Sequence, residues 1–265
     1  MSPSPPTEIE VKFELAGAEA GDALAEAPAL ADDLALGPVA EQVDHDDYAD
    51  GEALPLLRAG WALRHRTRFA TGDDGWPVVR HRVTLKQLAE AAARDGVQKR
   101  VELEGPVAGE PFDPAAWPEA VREAAAAACG GALPPLAELF TLVQRRRVRS
   151  VSRRGAPIGE LSIDAVRLHL PGDVRRGADA IARFDEVEFE LAPGGSLDDL
   201  GAAAAALGAA CGGRAAHGGK VDRAVALLAH APAVAALPDA QRQRLAAALA
   251  VLGARPGAEA AGGPR

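Results

Sequence analysis

Aromatic side chains are scarce, at 4% of 265 residues, and tyrosine occurs once. A ring platform for stacking a base or a vitamin is therefore in short supply. Cysteine occurs twice, at Cys129 and Cys211, which suits free thiols in a reducing compartment better than a disulfide framework. No stretch offers about 18 uninterrupted apolar residues, so no membrane-spanning helix and no membrane partner are expected. Positive charge is in deficit: 29 Lys and Arg stand against 38 Asp and Glu, for a net charge of −9. That argues against nucleic acid bound on a broad basic surface, while leaving room for a local basic cavity inside an acidic shell. Ser2 to Thr7 is proline-rich and lacks the basic and apolar regions of a secretory leader, so the expected location is cytoplasmic.

What is present is a globular share of apolar residues, 48%, much of it alanine. The length allows one large domain or two small ones. The organising pattern is strict alternation. Glu8, Glu10 and Lys12 share one face of a predicted strand over Thr7–Leu15, with Ile9, Val11 and Phe13 on the other. Arg64, Arg66 and Arg68 alternate with Leu63, His65 and Thr67, which puts His65 on the opposite surface. Arg80, Arg82, Thr84 and Lys86 alternate with Val79, Val83 and Leu85, and Arg100, Glu102 and Glu104 with Val101 and Leu103. In the second half Arg145 and Arg147 share a parity that Arg146 opposes. Glu160, Ser162 and Asp164 oppose Leu161 and Ile163, and Glu186, Glu188 and Glu190 project together.

Between these strands, Asp22–Leu34 reads as a helix interrupted near Pro28. Pro111–Cys129 reads as one capped by Asp113, and Ser196–Leu207 as one with Ser196 as N-cap. Val39–Tyr48 is a further strand candidate, ending in Asp44-His45-Asp46-Asp47. That acidic run reads as a solvated turn, because His45 and Asp47 fall on the opposite face from Asp44 and Asp46. Arg153-Arg154-Gly155 reads as a solvated turn too. The sum is about eight strands, mostly in sequence-adjacent hairpins, with helices inserted. Antiparallel strands in that number often close into a barrel, which also removes sheet edges.

The charged parity has two readings. It is either the solvated outside of such a barrel or the lining of a wet tunnel whose apolar parity packs under helices. The signs are sorted rather than interspersed, into carboxylate pairs and basic pairs. Like charges about 4 Å apart repel by roughly 4 kcal/mol at an effective dielectric near 20. Converging carboxylates would therefore call for divalent cations, with hard oxygen donors suiting Mg²⁺ or Mn²⁺. Converging guanidinium and ammonium groups would call for a polyanion such as polyphosphate.

Several of these segments carry a resemblance. Glu8-Ile9-Glu10-Val11-Lys12 resembles the ExExK signature of the CYTH family, the triphosphate tunnel metalloenzymes. Leu63-Arg64-His65-Arg66, Thr84-Leu85-Lys86 and Arg100-Val101-Glu102-Leu103-Glu104 resemble its LRxR, TLK and RxExE strands. Arg145 with Arg147, Ser162-Ile163-Asp164, Glu186-Val187-Glu188 and Gly219-Lys220-Val221-Asp222-Arg223-Ala224 follow in family order, with Gly219 where serine is usual. Asp47-Tyr48-Ala49-Asp50 departs from a YYDT-like stretch, placing Ala49 where the aspartate is expected.

Residues 1–6 read as a disordered N-terminus, and over residues 7–230 the resemblance implies an α+β fold, a closed eight-stranded antiparallel β-barrel that forms a tunnel and is decorated with helices. A C-terminal helical extension at 231–253 and a disordered tail at 254–265 follow. It implies metal-dependent hydrolysis of a triphosphate, with inorganic tripolyphosphate ahead of thiamine triphosphate or a nucleoside triphosphate. The metal side would be Glu8, Glu10, Glu102, Glu104, Asp164, Glu186 and Glu188, with Mg²⁺ or Mn²⁺ as cofactor. The substrate side would be Lys12, Arg64, Arg66, Lys86, Arg100, Arg145, Arg147 and Lys220. Glu8, Glu10, Lys12, Lys86 and Lys220 would act closest to the chemistry, and Glu190, Arg80 and Arg82 are further wall candidates. The expected partner is a small-molecule triphosphate, with no nucleic acid, and the chain would be a monomer or homodimer.

Overall fold

The alternating segments all form strands in the computed structural model, which describes residues 7–72, 75–88, 97–108, 112–216 and 218–254. In chain order the elements are β1 (Thr7–Glu14), α1 (Ala18–Glu26), β2 (Ala29–Ala31), β3 (Leu34–Leu36), β4 (Ala40–Asp50), α2 (Pro55–Arg58), β5 (Trp61–Thr71), β6 (Pro77–Gln87) and β7 (Val97–Pro106). Then come α3 (Glu119–Ala128), β8 (Ala137–Arg153), β9 (Ala156–His169), α4 (Asp173–Arg176), β10 (Ala182–Leu191), α5 (Leu197–Ala210), α6 (Lys220–His230) and α7 (Asp239–Gly253).

Eight strands close in the order β8-β4-β5-β6-β7-β1-β10-β9, with β9 returning to β8. Every pairing in that ring is antiparallel. The short hairpin β2–β3 lies outside the ring, attached to the far end of β8 through Leu34 opposite Arg153. The barrel is thus the expected closed eight-stranded one.

Its apolar parity faces outward, under helices. Val11, Phe13, Leu161, Ile163, Val187 and Phe189 are buried with Leu24 of α1 and Leu200, Ala203 and Leu207 of α5. Leu63, Val83 and Leu85 pack under Leu56 of α2 and Val121 and Ala125 of α3. Leu142, Val166 and Leu168 pack with Val221, Val225 and Leu228 of α6 and Leu245 and Leu252 of α7. These three clusters hold the barrel from outside, where apolar burial is worth roughly 25 cal/mol per Å².

Three local expectations change. The helix expected over Asp22–Leu34 runs instead from Ala18 to Glu26. It stops before Pro28, whose ring disfavours helical geometry at the preceding residue, and the remainder folds as β2–β3. The helix expected over Pro111–Cys129 becomes a 3₁₀ turn at Pro114–Ala116, where Asp113 accepts from the Ala115 N–H, and then α3 after Pro118. Arg153 is not merely solvated. It pairs with Asp33 of the β2–β3 turn at 2.8 Å and Asp199 of α5 at 3.2 Å. Ser196 caps α5 as expected, in a capping box with Asp199. Of the disorder expected at 1–6 and 254–265, Ala254 is described as the C-cap of α7, and the rest lies outside the described residues, as do Pro111 and His217.

Candidate active site inside the barrel

Because successive strand residues point to opposite faces, sending Val11 and Phe13 outward sends Glu8, Glu10 and Lys12 inward. The same logic on each strand fills the bore with charge around a cavity of about 540 Å³. The ion pairs fall into three groups.

In the first, Asp164 of β9 and Glu186 and Glu188 of β10 converge, with carboxylate oxygens within 4.8 Å of one another and all three residues buried. Register places Glu186 opposite Asp164 and Glu188 opposite Ser162. The Lys220 ammonium, from the first residue of α6, lies 2.9 Å from Asp164 Oδ2 and 2.6 Å from both Glu186 Oε1 and Glu188 Oε1. Lys12 also contacts Glu188, and Arg146 Nε donates to Asp164 Oδ1 at 2.9 Å. Burial would raise the Glu188 carboxyl, but Lys12, Lys220 and Arg146 hold it well below the usual range. Burial does raise Glu186, with Lys220 opposing. Burial would lower Lys220, and the carboxylates of Asp164, Glu186 and Glu188 outweigh it and raise it.

In the second group, Lys86 of β6 contacts Glu8, reaches Glu102 Oε2 at 2.9 Å and lies 3.8 Å from Glu10. Arg100 contacts Glu10, and Lys12 lies 3.2 Å from it, tying this group to the first. Burial works against ionisation of Glu102, yet Lys86 and Arg64 bring it down to about 2.

The third group was not expected from sequence. Asp44 and Asp46 are fully buried on β4 and point into the bore. Arg66 grips Asp46 with Nε at 2.6 Å and Nη2 at 2.7 Å, and Arg68 grips Asp44 with both nitrogens at 2.8 Å. Such forked pairs fix the guanidinium plane as well as its position. Gln144 Nε2 donates to Asp46 at 2.5 Å, and Arg64 and Arg146 lie 3.4 and 3.5 Å from Asp46 and Asp44. The solvated-turn reading of Asp44 to Asp47 is therefore corrected. The run is strand, and its inner pair is neutralised by arginines from β5 and β8.

Arg145 and Arg147 are corrected as well. Arg145 points outward, its side chain 70% exposed beside Glu41. Arg147 pairs with Asp22 on α1 at 2.6 Å. The inward residue is Arg146, because β8 places Gln144 opposite Asp44 and Arg146 opposite Asp164. The remaining expected residues, Arg64, Arg66 and Lys220 among them, are in the bore, with Glu104 at its mouth paired to Arg82. Arg68, Arg80, Glu160 and Glu190 complete the mouth.

His65 faces outward as expected, stacked on His81 at 5.6 Å. Ala49 is buried and its methyl group has no polar role. Beside it, the Asp50 carboxylate accepts from the N–H groups of Gly51, Leu56 and Leu57, closing the entry to α2. At Gly219 a Cβ would meet Arg100 Nη1 at 3.0 Å, so glycine leaves room for that guanidinium.

The profile of the CYTH domain family matches residues 6–207. No curated protein matches the chain. Among solved structures, a Hippeastrum protein described by a dominant triphosphatase activity is 19% identical, with a TM-score of 0.47 over 79% of this chain and 90% of that one. A Bacillus halodurans protein provisionally named an adenylate cyclase is 17% identical, with a TM-score of 0.46 over 82% and 97%. The Mimivirus capping enzyme triphosphatase is 10% identical, with a TM-score of 0.41 over 78% and 89%.

Proposed function

This chain belongs to the CYTH domain family, and from that premise we propose that it is a divalent-metal-dependent triphosphatase. Its substrate is inorganic tripolyphosphate, hydrolysed to phosphate and pyrophosphate inside the barrel. The observation that carries the inorganic substrate is the chemistry of the lining. Among the described residues Tyr48 is its single aromatic, and that ring is already stacked on Phe140 at 4.9 Å. The walls offer forks and ammonium groups for phosphate oxygens and no free platform for a base.

The donor set fits a hard divalent cation. Asp164, Glu186 and Glu188 offer only oxygens. Asp164 Oδ2 and Glu186 Oε1 have the Lys220 ammonium close by but no aligned hydrogen bond. Glu8, Glu10 and Glu102 form a second oxygen-rich wall around Lys86. Mg²⁺ or Mn²⁺ held there would neutralise phosphate oxygens and make bound water more acidic.

The chain's own part is positioning. Arg64, Arg66, Arg146, Lys12, Lys86, Arg100 and Lys220 surround the bore from five strands and one helix. They hold the polyphosphate in line and stabilise charge on the departing phosphoryl group. Asp44 and Asp46 hold Arg66 and Arg68 in place, so the positions of those guanidinium charges are set before substrate arrives.

The test is phosphate release from tripolyphosphate in Mg²⁺ or Mn²⁺, beside ATP and thiamine triphosphate, with EDTA as control. Release from tripolyphosphate that stops in EDTA is expected. Faster release from ATP or thiamine triphosphate would move the assignment to an organic triphosphate. Tight binding without release would make the chain a polyphosphate-binding module.

A further inference from the structure

The Lys220 ammonium occupies the middle of the Asp164, Glu186 and Glu188 carboxylates, touching each at 2.6–2.9 Å. That is where a cation bound by all three would lie. Mg²⁺ bonds oxygen at about 2.0–2.1 Å, so an ammonium 2.6 Å from the same oxygens would overlap it and repel it at close range. The lysine is delivered there by a built element. Gly219 N donates to Asp222 Oδ2 at 2.7 Å, and Val221, Ala224, Val225 and Leu228 anchor α6 in the outer core. Only the four-carbon stem is free to turn, and Lys220 is 9% exposed, at the cavity wall.

We propose that Lys220 is a resident counter-ion that a divalent cation must displace, and that the displaced ammonium moves onto substrate phosphate. The inference rests on the triphosphatase reading for the destination of the ammonium, but not for its displacement. It follows that metal binds weakly to the free protein and more tightly once a polyphosphate offers the ammonium another anion. Metal and polyphosphate binding then reinforce each other to the same degree in either order. Lys12 does not replace Lys220 in this role, since it is shared between Glu188 and Glu10.

The experiment uses Mn²⁺ alone, followed by calorimetry and by electron paramagnetic resonance of the free ion, on the whole chain without phosphate. Lys220→Met and Lys220→Gln are expected to bind Mn²⁺ at least tenfold more tightly than wild type. Lys220→Arg, which keeps the charge, is expected to stay as weak as wild type. Unchanged or weaker Mn²⁺ binding by folded Lys220→Met or Lys220→Gln overturns the proposal, and so does equal tightening in Lys220→Arg. If removing the ammonium leaves the carboxylates repelling one another and the fold suffers, Mn²⁺ should restore the melt. A variant that stays unfolded in Mn²⁺ also overturns it. These readings need no turnover, so a chain that fails to hydrolyse tripolyphosphate but shows the tightening retains the inference and loses only the activity.

Discussion

Arg145 and Arg146 divide the inside of the barrel from its outside within one peptide bond. Arg145 makes an exposed pair with Glu41 at 3.3 Å, and exposed pairs contribute about 0–1 kcal/mol. Arg145→Ala should leave both the urea midpoint and phosphate release unchanged. Arg146 is the counter-charge of buried Asp44, Asp164 and Glu188. Arg146→Ala should cost about 3–5 kcal/mol, the range for breaking a buried pair, and abolish most turnover. Equal effects of the two substitutions in the same assays would refute the register.

The sequence could not separate them. Three consecutive arginines satisfy either parity, and what decides is the pairing of β8 with Asp44 on one side and Asp164 on the other. Asp44 and Asp46 were hidden for the same reason. Four polar residues in a row look like a turn until Arg66 and Arg68 arrive from β5. Glu8, Glu10, Glu102 and Glu188 were legible because each alternates with apolar neighbours that commit the parity locally.

At the scale of elements, strands with strong alternation were readable, and short elements of low contrast were not. Ala29–Ala31 and Leu34–Leu36 carry no alternation and form strands only because they pair with each other and Leu34–Leu36 also pairs with β8. Helix α1 is nine residues long with no basic residue in its last turn, so it is marginal alone. Its C-terminal carbonyls are satisfied from outside. Arg149, on the outward parity of β8, donates to the carbonyls of Leu24, Ala25 and Ala27 at 3.1, 2.9 and 2.6 Å, and to Gly37 at 2.7 Å. Helix ends need such partners, and one charged donor group, here a single guanidinium shared among these carbonyls, contributes about 1.5–3 kcal/mol. Arg149→Ala should therefore lower stability by about 2–3 kcal/mol at unchanged urea m-value, while kcat per folded molecule stays the same. A loss of kcat at full stability would mean that α1 shapes the bore.

For the molecule as a whole, cohesion and chemistry lie on opposite sides of one sheet. The outer clusters carry stability: Leu207→Ala, deleting a fully buried side chain of α5, should cost about 3–5 kcal/mol by denaturant titration. The inner wall carries like charges that work against folding, and Glu190 shows the sign. Partial burial, then Glu8, with Glu102 and Glu160 adding and Lys86 opposing, raises its carboxyl to about 7. Register sets it between Glu10 on β1 and Glu160 on β9. A carboxyl raised in the folded state binds more protons folded than unfolded, so stability falls as pH rises between the two values. The window opens near the ordinary glutamate value of about 4.3 and closes near 7. Below it Glu190 is protonated in both states and costs nothing; above it the full penalty of an ionised carboxylate among carboxylates is present. Glu190→Gln removes that titration. The melting temperature of the variant minus that of wild type should be near zero at pH 4, grow through pH 5 and 6, and level off positive above pH 7. A difference that stays flat across the range would place the Glu190 carboxylate in free solvent, beyond the field of Glu8 and Glu160.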